Sequence, residues 1–107
     1  MRVRERQVLE TIAALLRQRF PGRIEAFYAF GSRVRGTHGA WSDFDLLVIV
    51  RDKDPSIEAA VVDLIVDEEC KAGLSFTAVV KDVRAFALER GLHTPFYENL
   101  AREGVPL

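Results

Sequence analysis

Residues 29–50 read A-F-G-S-R-V-R-G-T-H-G-A-W-S-D-F-D-L-L-V-I-V, and this stretch decides the fold of the chain. It places a Gly-Ser turn at Gly31 and Ser32 and, after ten intervening residues, two carboxylates at Asp43 and Asp45. Successive side chains of a strand point to opposite faces, so the two carboxylates share a face and the residue between them points the other way. The sequence therefore predicts two neighbouring carboxylates at the start of a strand.

These carboxylates have the chemistry of a magnesium site. Two negative charges so close repel each other, and a cation between them relieves the repulsion. Mg²⁺ prefers hard oxygen ligands and is commonly held by one or two carboxylates together with substrate phosphates. The continuous apolar run from Leu46 to Val50 is typical of a strand covered on both faces, which would hold Asp43 and Asp45 rigidly.

A phosphate site is predicted next to this metal site. Ile24–Phe30 is apolar and aromatic, as expected of a strand that runs into the turn. Gly31 allows the backbone to approach a ligand closely. If Ser32 opens a short helical segment, its free N–H groups and the helix dipole favour an anion. The Ser32 hydroxyl adds a donor, and Arg33 and Arg35 add positive charge.

The rest of the chain predicts a small α/β (α+β) domain. Apolar periodicity and capping residues set the boundaries of its elements. The elements outside the central stretch are a helix over residues 2–20, a helix from Pro55 to about Cys70 capped by Asp54, a strand over Leu74 to Val80, a helix over Val83 to Arg90 closed by Gly91, and a helix from Pro95 to about Glu103 capped by Thr94. This order suits one domain over residues 1–107, with a three- or four-stranded mixed sheet packed against helices.

The amino-acid composition limits the classes of protein to which this chain can belong. The 107 residues are 49% hydrophobic, which suffices for one compact core. Neither a leader at Met1 nor an apolar run of about 18 residues is present, so neither targeting nor membrane insertion is expected. The single cysteine, Cys70, cannot form an internal disulfide; it fits a reducing cytoplasm and the role of a small buried apolar residue.

The charge is unevenly distributed along the chain. The net charge of -1 argues against a nucleic-acid partner, because such domains usually carry a basic excess. Residues 1–40 contain eight arginines and three glutamates, and the remainder is acidic. This asymmetry could steer phosphates toward the Gly-Ser loop or an acidic partner toward the first helix. For the arginines of the first helix, a solvated face is the favoured interpretation.

The Gly-Ser turn, the ten-residue spacing and D-F-D-L at residues 43–46 together resemble the signature of the DNA polymerase β-like nucleotidyltransferases. The short chain resembles their minimal nucleotidyltransferase branch. This resemblance implies the nucleotidyltransferase fold and Mg²⁺-dependent transfer of a nucleoside monophosphate, AMP from ATP, to a hydroxyl group. It implies the following roles: catalysis and metal binding for Asp43 and Asp45, and nucleotide binding for Gly31, Ser32, Arg33 and Arg35.

The resemblance also implies a partner. Small proteins of this branch are often paired with a helical HEPN-domain protein and act as the antitoxin of a two-gene module. The acceptor hydroxyl would then belong to that partner. The sequence leaves open whether the chain also forms a homo-oligomer.

The chain departs from the family pattern at one position. Active members usually carry a third carboxylate on the strand after the intervening helix, where it binds the metal and can take the acceptor's proton. Here that strand, Leu74 to Val80, has Ser75 and Thr77 but no acid. The acids that flank it are Glu68, Glu69 and Asp82. Catalytic competence is therefore open at this stage.

Two alternatives follow from this departure and from the size of the chain. One is a catalytically reduced binding module that neutralises its partner by complex formation alone. The other is modification of a small molecule, for which the chain lacks a substrate domain unless an oligomer builds the pocket. Phe96 and Tyr97 are expected to be packing residues, not a platform for a nucleotide base.

Overall fold

The computed structural model of the protein describes residues 2–31 and 44–107. Helices and strands follow each other in the order predicted, with one short strand added at the end. In chain order the elements are α1 (Val3–Arg19), β1 (Ile24–Phe30), β2 (Phe44–Val50), α2 (Pro55–Ala72), β3 (Phe76–Asp82), α3 (Val83–Leu92), α4 (Pro95–Glu103) and β4 (Val105–Pro106).

The strands form one mixed sheet in the order β3-β2-β1-β4, which confirms the predicted architecture. β1 pairs antiparallel with β2 and with β4, whereas β2 and β3 are parallel. Parallel neighbours require a crossover connection, and α2 supplies it between β2 and β3. The apolar run of β2 occupies the inside of the sheet, where Leu46 to Val50 are at most 1% exposed.

Helices cover both faces of this sheet. α1 and α2 lie on the first face, where Leu9, Ile12 and Leu16 of α1 are completely buried, as expected of the core-facing side of an amphipathic helix. Alternate side chains of β2, such as Leu46 and Val48, pack into the same core. α3 and α4 lie on the second face, and the side chains that join this second core are Ala26, Tyr28, Phe30, Leu47, Ile49, Val79, Val83, Phe86, Phe96 and Leu100.

Local capping signals place the ends of α2. Asp54 caps its start, because Oδ1 accepts a hydrogen bond of 2.8 Å from Ile57 N, and Pro55 occupies the first turn. Gly73 ends it in the left-handed conformation, with φ of 70°. The predicted capping residues are thus confirmed. The prediction for Cys70 is wrong, since this residue lies on the exposed side of α2.

Two predicted boundaries shift in the structure. α3 continues through Gly91 to Leu92, and His93 ends it in the left-handed conformation. Thr94 has an extended backbone because it caps the start of α4. The chain therefore turns one residue earlier, at His93. β3 begins at Phe76, two residues later than predicted. Among the described residues, no helix has the length and apolar character needed to cross a bilayer.

Candidate active site

The candidate site lies where three neighbouring strands meet at one end of the sheet. Phe30, the last residue of β1, is the register partner of Asp45 on β2. Asp45 is in turn the register partner of Thr77 on β3. Residues directly opposite each other on paired strands point to the same face, so these three side chains lie side by side. That face is the one covered by α3 and α4.

Gly31 follows β1 directly and lies against the carboxylate of Asp45. Its φ is +92°, a conformation that glycine adopts far more readily than other residues. A Cβ atom at this position would overlap Asp45 Oδ2. The structure therefore brings two of the predicted site residues, Gly31 and Asp45, together and gives two independent reasons for glycine at position 31.

Asp45 is the one half-buried position in β2, and all other residues of the strand are buried. Its neighbours Phe44 and Leu46 point into the first core. This confirms the predicted alternation, in which the carboxylate and the aromatic ring take opposite faces. A strand fixed by six buried side chains holds Asp45 with little freedom to move.

The strand on which a third carboxylate was expected is β3. Thr77 is the β3 residue that adjoins Asp45 on the parallel strand and shares its face. A threonine hydroxyl is neither a base at neutral pH nor an anionic metal ligand. The register therefore confirms that β3 offers no acid beside Asp45.

Glu69, one of the flanking acids, points elsewhere. Phe44 N donates to Ser75 O on the β2 side, so the next N–H group, that of Phe76, points to the outer edge of the sheet. Glu69 Oε2 accepts from this N–H at 2.7 Å. Its carboxylate thus lies at the outer edge of β3, away from Asp45.

The other two flanking acids also have separate roles. Asp82 is the register partner of Val50, at the opposite end of β2 from Asp45. Hydrogen bonds from Lys53 N, at 3.0 Å, and Arg84 N, at 2.8 Å, hold the pKa of Asp82 below its usual value. Glu68 forms an ion pair with Lys71 on α2. None of the three flanking acids is placed to complete the site.

The remaining predicted site residues, Ser32, Arg33, Arg35 and Asp43, lie outside the described residues. Within residues 2–31 and 44–107, no cluster of three or more His, Cys, Asp or Glu could hold a metal ion. At this strand end, Asp45 is therefore the carboxylate that the described part of the chain offers to a metal ion. Mg²⁺ needs only one or two carboxylates when phosphates supply further ligands, so Asp45 fits such a site.

Sequence reasoning missed a charged cluster on the same face. Lys81 Nζ lies 2.6 Å from Glu89 Oε2 and 4.3 Å from the ring centroid of Phe96. Phe96 meets Phe30 edge to face, with centroids 5.7 Å apart. These contacts connect α3 and α4 to the strand end that carries the site. The alternation along β3 could have indicated Lys81, since it shares a face with Thr77.

Comparisons with known proteins identify the family of the chain. Residues 9–98 match the family model described as a nucleotidyltransferase domain. The chain is 30% identical over 100 residues to a protein of Methanocaldococcus jannaschii named "Putative protein adenylyltransferase MJ0604", and the alignment covers 94% of both chains.

Two solved structures share the fold. One is described as a toxin-antitoxin with AMP-PNP; it has a TM-score of 0.57 and 20% identity, over 91% of this chain and 70% of that chain. The other is a mutant of the toxin-antitoxin MntA-HpeT, with a TM-score of 0.56 and 21% identity, over 92% and 70%. Because the family model spans most of the sequence, the chain belongs to the nucleotidyltransferase domain family.

Proposed function

We propose that this protein transfers AMP from ATP, with Mg²⁺, to a hydroxyl group of a partner protein and acts as the antitoxin of a two-gene module. The observation that carries the proposal is the contact between Gly31 and Asp45 at the strand end. Because Gly31 has no side chain, its backbone comes close to the half-buried carboxylate, so a phosphate bound at the turn would lie next to a cation held by Asp45.

Each site residue has a separate task in this reaction. Asp45, with Asp43, would hold Mg²⁺, which when bound neutralises the phosphate charge and aligns the α-phosphorus for attack. Gly31 and Ser32 would bind the triphosphate through backbone and hydroxyl donors, with Arg33 and Arg35 adding charge.

The bonds that form and break in this reaction show that a group must accept the proton of the acceptor hydroxyl. The acceptor oxygen forms a bond to the α-phosphorus, and the bond from this phosphorus to the pyrophosphate oxygen breaks. The acceptor's proton must leave, and Thr77 cannot take it. Under this proposal the proton passes to solvent or to a basic group of the partner.

The partner assignment has two sources of support. The M. jannaschii relative is named a protein adenylyltransferase, and the two structural relatives are toxin-antitoxin proteins. The sequence resemblance adds a helical HEPN-domain protein as the partner. The lone Cys70 suits the cytoplasm as the compartment in which the pair acts.

A second candidate function is a binding module that neutralises the partner without catalysis. The specific observation in its favour is Thr77, which stands at the register position beside Asp45 where an acid would complete the site.

Transfer of label from α-labelled ATP to the product of the neighbouring gene tests the first proposal. The reaction contains Mg²⁺, and the variants are Asp45→Asn alone and together with Asp43→Asn. Asp63→Asn is the matched control, because Asp63 is exposed on α2, on the opposite face of the sheet. We expect labelling by the wild type and the control, and a loss on the order of 10³-fold in Asp45→Asn, as for removal of a group that stabilises transition-state charge.

Each outcome separates the candidates. Labelling that survives in the double variant contradicts the proposed site. A wild type that binds the neighbour's product without labelling it supports the binding module. Calorimetric titration with ATP and Mg²⁺ adds a readout independent of turnover, since the double variant should lose this binding.

A further inference from the structure

α3 carries apolar side chains on the side that faces away from the sheet. Leu88 and Leu92 are 63% and 68% exposed. Because a helix turns by about 100° per residue, both leucines lie opposite Val83 and Phe86, which pack into the second core. Ala85 is also exposed and lies one turn before Leu88 on the same side. Ala85, Leu88 and Leu92 together are named here the α3 stripe.

The packing of this chain does not account for the α3 stripe. The side of an amphipathic helix that faces away from the core is normally polar. In the described part of the chain, the large apolar side chains that are exposed are Val3, Val66, Leu88 and Leu92. Val3 and Val66 lie singly on α1 and α2, which is ordinary for a protein surface, whereas the two leucines are one turn apart on one helix. Adjoining exposed apolar side chains mark an interaction surface.

One cation lies at the start of the α3 stripe. α3 has three charged residues, and two of them point away from the stripe: Glu89 pairs with Lys81 at 2.6 Å, and Arg90 lines the cavities beside β1. The third is Arg84, which is exposed. Within residues 2–31 and 44–107, no carboxylate forms an ion pair with Arg84, and its charge acts on Asp82 at longer range. Its guanidinium is therefore available to a further anionic group.

A carboxylate lies at the other end of the α3 stripe. His93 directly follows α3, and its Nδ1 atom is 2.7 Å from Oε1 of Glu98 on α4. This contact holds the Glu98 carboxylate beside the C-terminal end of α3, just beyond Leu92. The side chain of Glu98 remains 49% exposed. The stripe therefore begins next to a positive charge and ends next to a negative charge.

Opposite charges at its two ends make the α3 stripe complementary to itself. If two copies of α3 pack antiparallel, Leu88 of each copy lies against Leu92 of the other. Arg84 is one turn before Leu88, and Glu98 lies just beyond Leu92, so Arg84 of each copy comes next to Glu98 of the other. A two-fold axis between the helices forms every one of these contacts twice. This charge complementarity identifies a second copy of the chain as the occupant of the stripe.

We propose that the protein forms a two-fold dimer in which the α3 stripes of two copies pack antiparallel and Arg84 of each copy pairs with Glu98 of the other. The interface is built on one short helix from each copy, so the dimer is weak and depends on concentration. The inference goes beyond the proposed function and does not rest on it, because it concerns the association of the chain with itself.

Sedimentation velocity of the full chain, from micromolar to submillimolar concentration, tests the apolar part of the interface. The mass of the wild type should rise from that of one chain to that of two. Leu88→Gln combined with Leu92→Gln should remain monomeric over the same range, because the apolar surface is lost. Val66→Gln is the matched control: it removes an exposed apolar side chain from α2 and should dimerise as the wild type does.

Charge reversal tests the contact between Arg84 and Glu98. Arg84→Glu and Glu98→Arg each bring like charges together across the interface, and each should raise the Kd of the dimer about tenfold or more. An equimolar mixture of these two variants should dimerise as the wild type does, because both contacts of the mixed dimer again join opposite charges. Loss of the fold cannot produce this gain on mixing. Thermal unfolding of every variant checks that the fold is retained.

Each outcome supports or overturns the dimer. A wild type that stays monomeric over the whole range overturns it. A dimer that persists in the double glutamine variant, or that is not regained on mixing the two charge variants, lies on another surface and also overturns it. If the wild type alone is monomeric and the leucine changes abolish binding of the neighbouring gene's product, the stripe binds a different protein and the inference is wrong. Label transfer is measured separately, so its absence rejects the proposed function and leaves the dimer intact.

Discussion

The two faces of the sheet differ in how completely their helices bury them. On the first face, α1 contributes three side chains with no exposed surface, Leu9, Ile12 and Leu16. On the second face, α3 contributes none, and two cavities separate it from β1. The polar groups of the candidate site lie on this second, looser face. The comparison indicates that one face supplies most of the stability while the other keeps surface free for binding.

Leu16→Ala tests the first face and has the largest expected effect. Removing a completely buried leucine leaves a cavity and should lower the free energy of unfolding by about 3 kcal/mol. Leu88→Ala on α3 is the matched substitution, and it should change stability by less than about 0.5 kcal/mol, because Leu88 is already 63% exposed. Urea unfolding measures both, and equal losses would contradict the division between the faces.

Thr77→Asp tests whether the second face lacks only a base for catalysis. It places a carboxylate beside Asp45, on the strand where the sequence resemblance implies a third acid. If the chain is an enzyme, we expect label transfer to rise by roughly tenfold to a hundredfold, because a base becomes available for the acceptor's proton. The measurement is the initial rate at saturating ATP. No change in rate would favour the binding module.

Gly31→Ala tests the close approach to Asp45, in comparison with Gly22→Ala. Both glycines have a positive φ, of 92° and 75°, but a Cβ at Gly22 meets no atom within 4 Å. The backbone cost, about 1 kcal/mol, should be common to both. Gly31→Ala should cost about 1 kcal/mol more and should also impair ATP binding. Thermal unfolding and calorimetry check this, and equal behaviour of the two variants would reject the contact.

Asp82→Asn concerns the end of the sheet opposite the site and has the smallest expected effect. The folded-state pKa of Asp82 is lowered, so its stabilising contribution is present above the unfolded pKa of about 3.9 and is lost as the pH falls through the folded value. The variant should therefore melt slightly below the wild type at pH 7, and the difference should shrink below about pH 4. A difference that does not depend on pH would contradict this origin.

Local sequence signals predicted much of the fold. The boundaries of α2 and the start of α4 follow from Asp54-Pro55 and Thr94-Pro95, because a capping oxygen and a proline act within one helical turn. Gly31 and Asp45 were predicted for the site, and the structure brings them together. These features depend on neighbouring residues or on a single strand pair.

What the sequence did not predict depends on tertiary pairing. β4 has only two residues and exists because Val105 and Pro106 pair with β1. The exposure of Cys70 is set by which side of α2 faces the core, and the end of α3 is set by the cap of the next helix. The expectations for Ser32, Arg33, Arg35 and Asp43 stay predictions.

The hydrogen bond from Phe76 N to Glu69 has a consequence for solubility and association. β3 is one of the two outer strands of the described sheet, and outer strands expose N–H and C=O groups to which another chain can add. Glu69 occupies the first outward N–H group of β3 and places a negative charge there. An incoming strand would have to displace and desolvate that carboxylate. Glu69 therefore disfavours the addition of another strand at the start of β3.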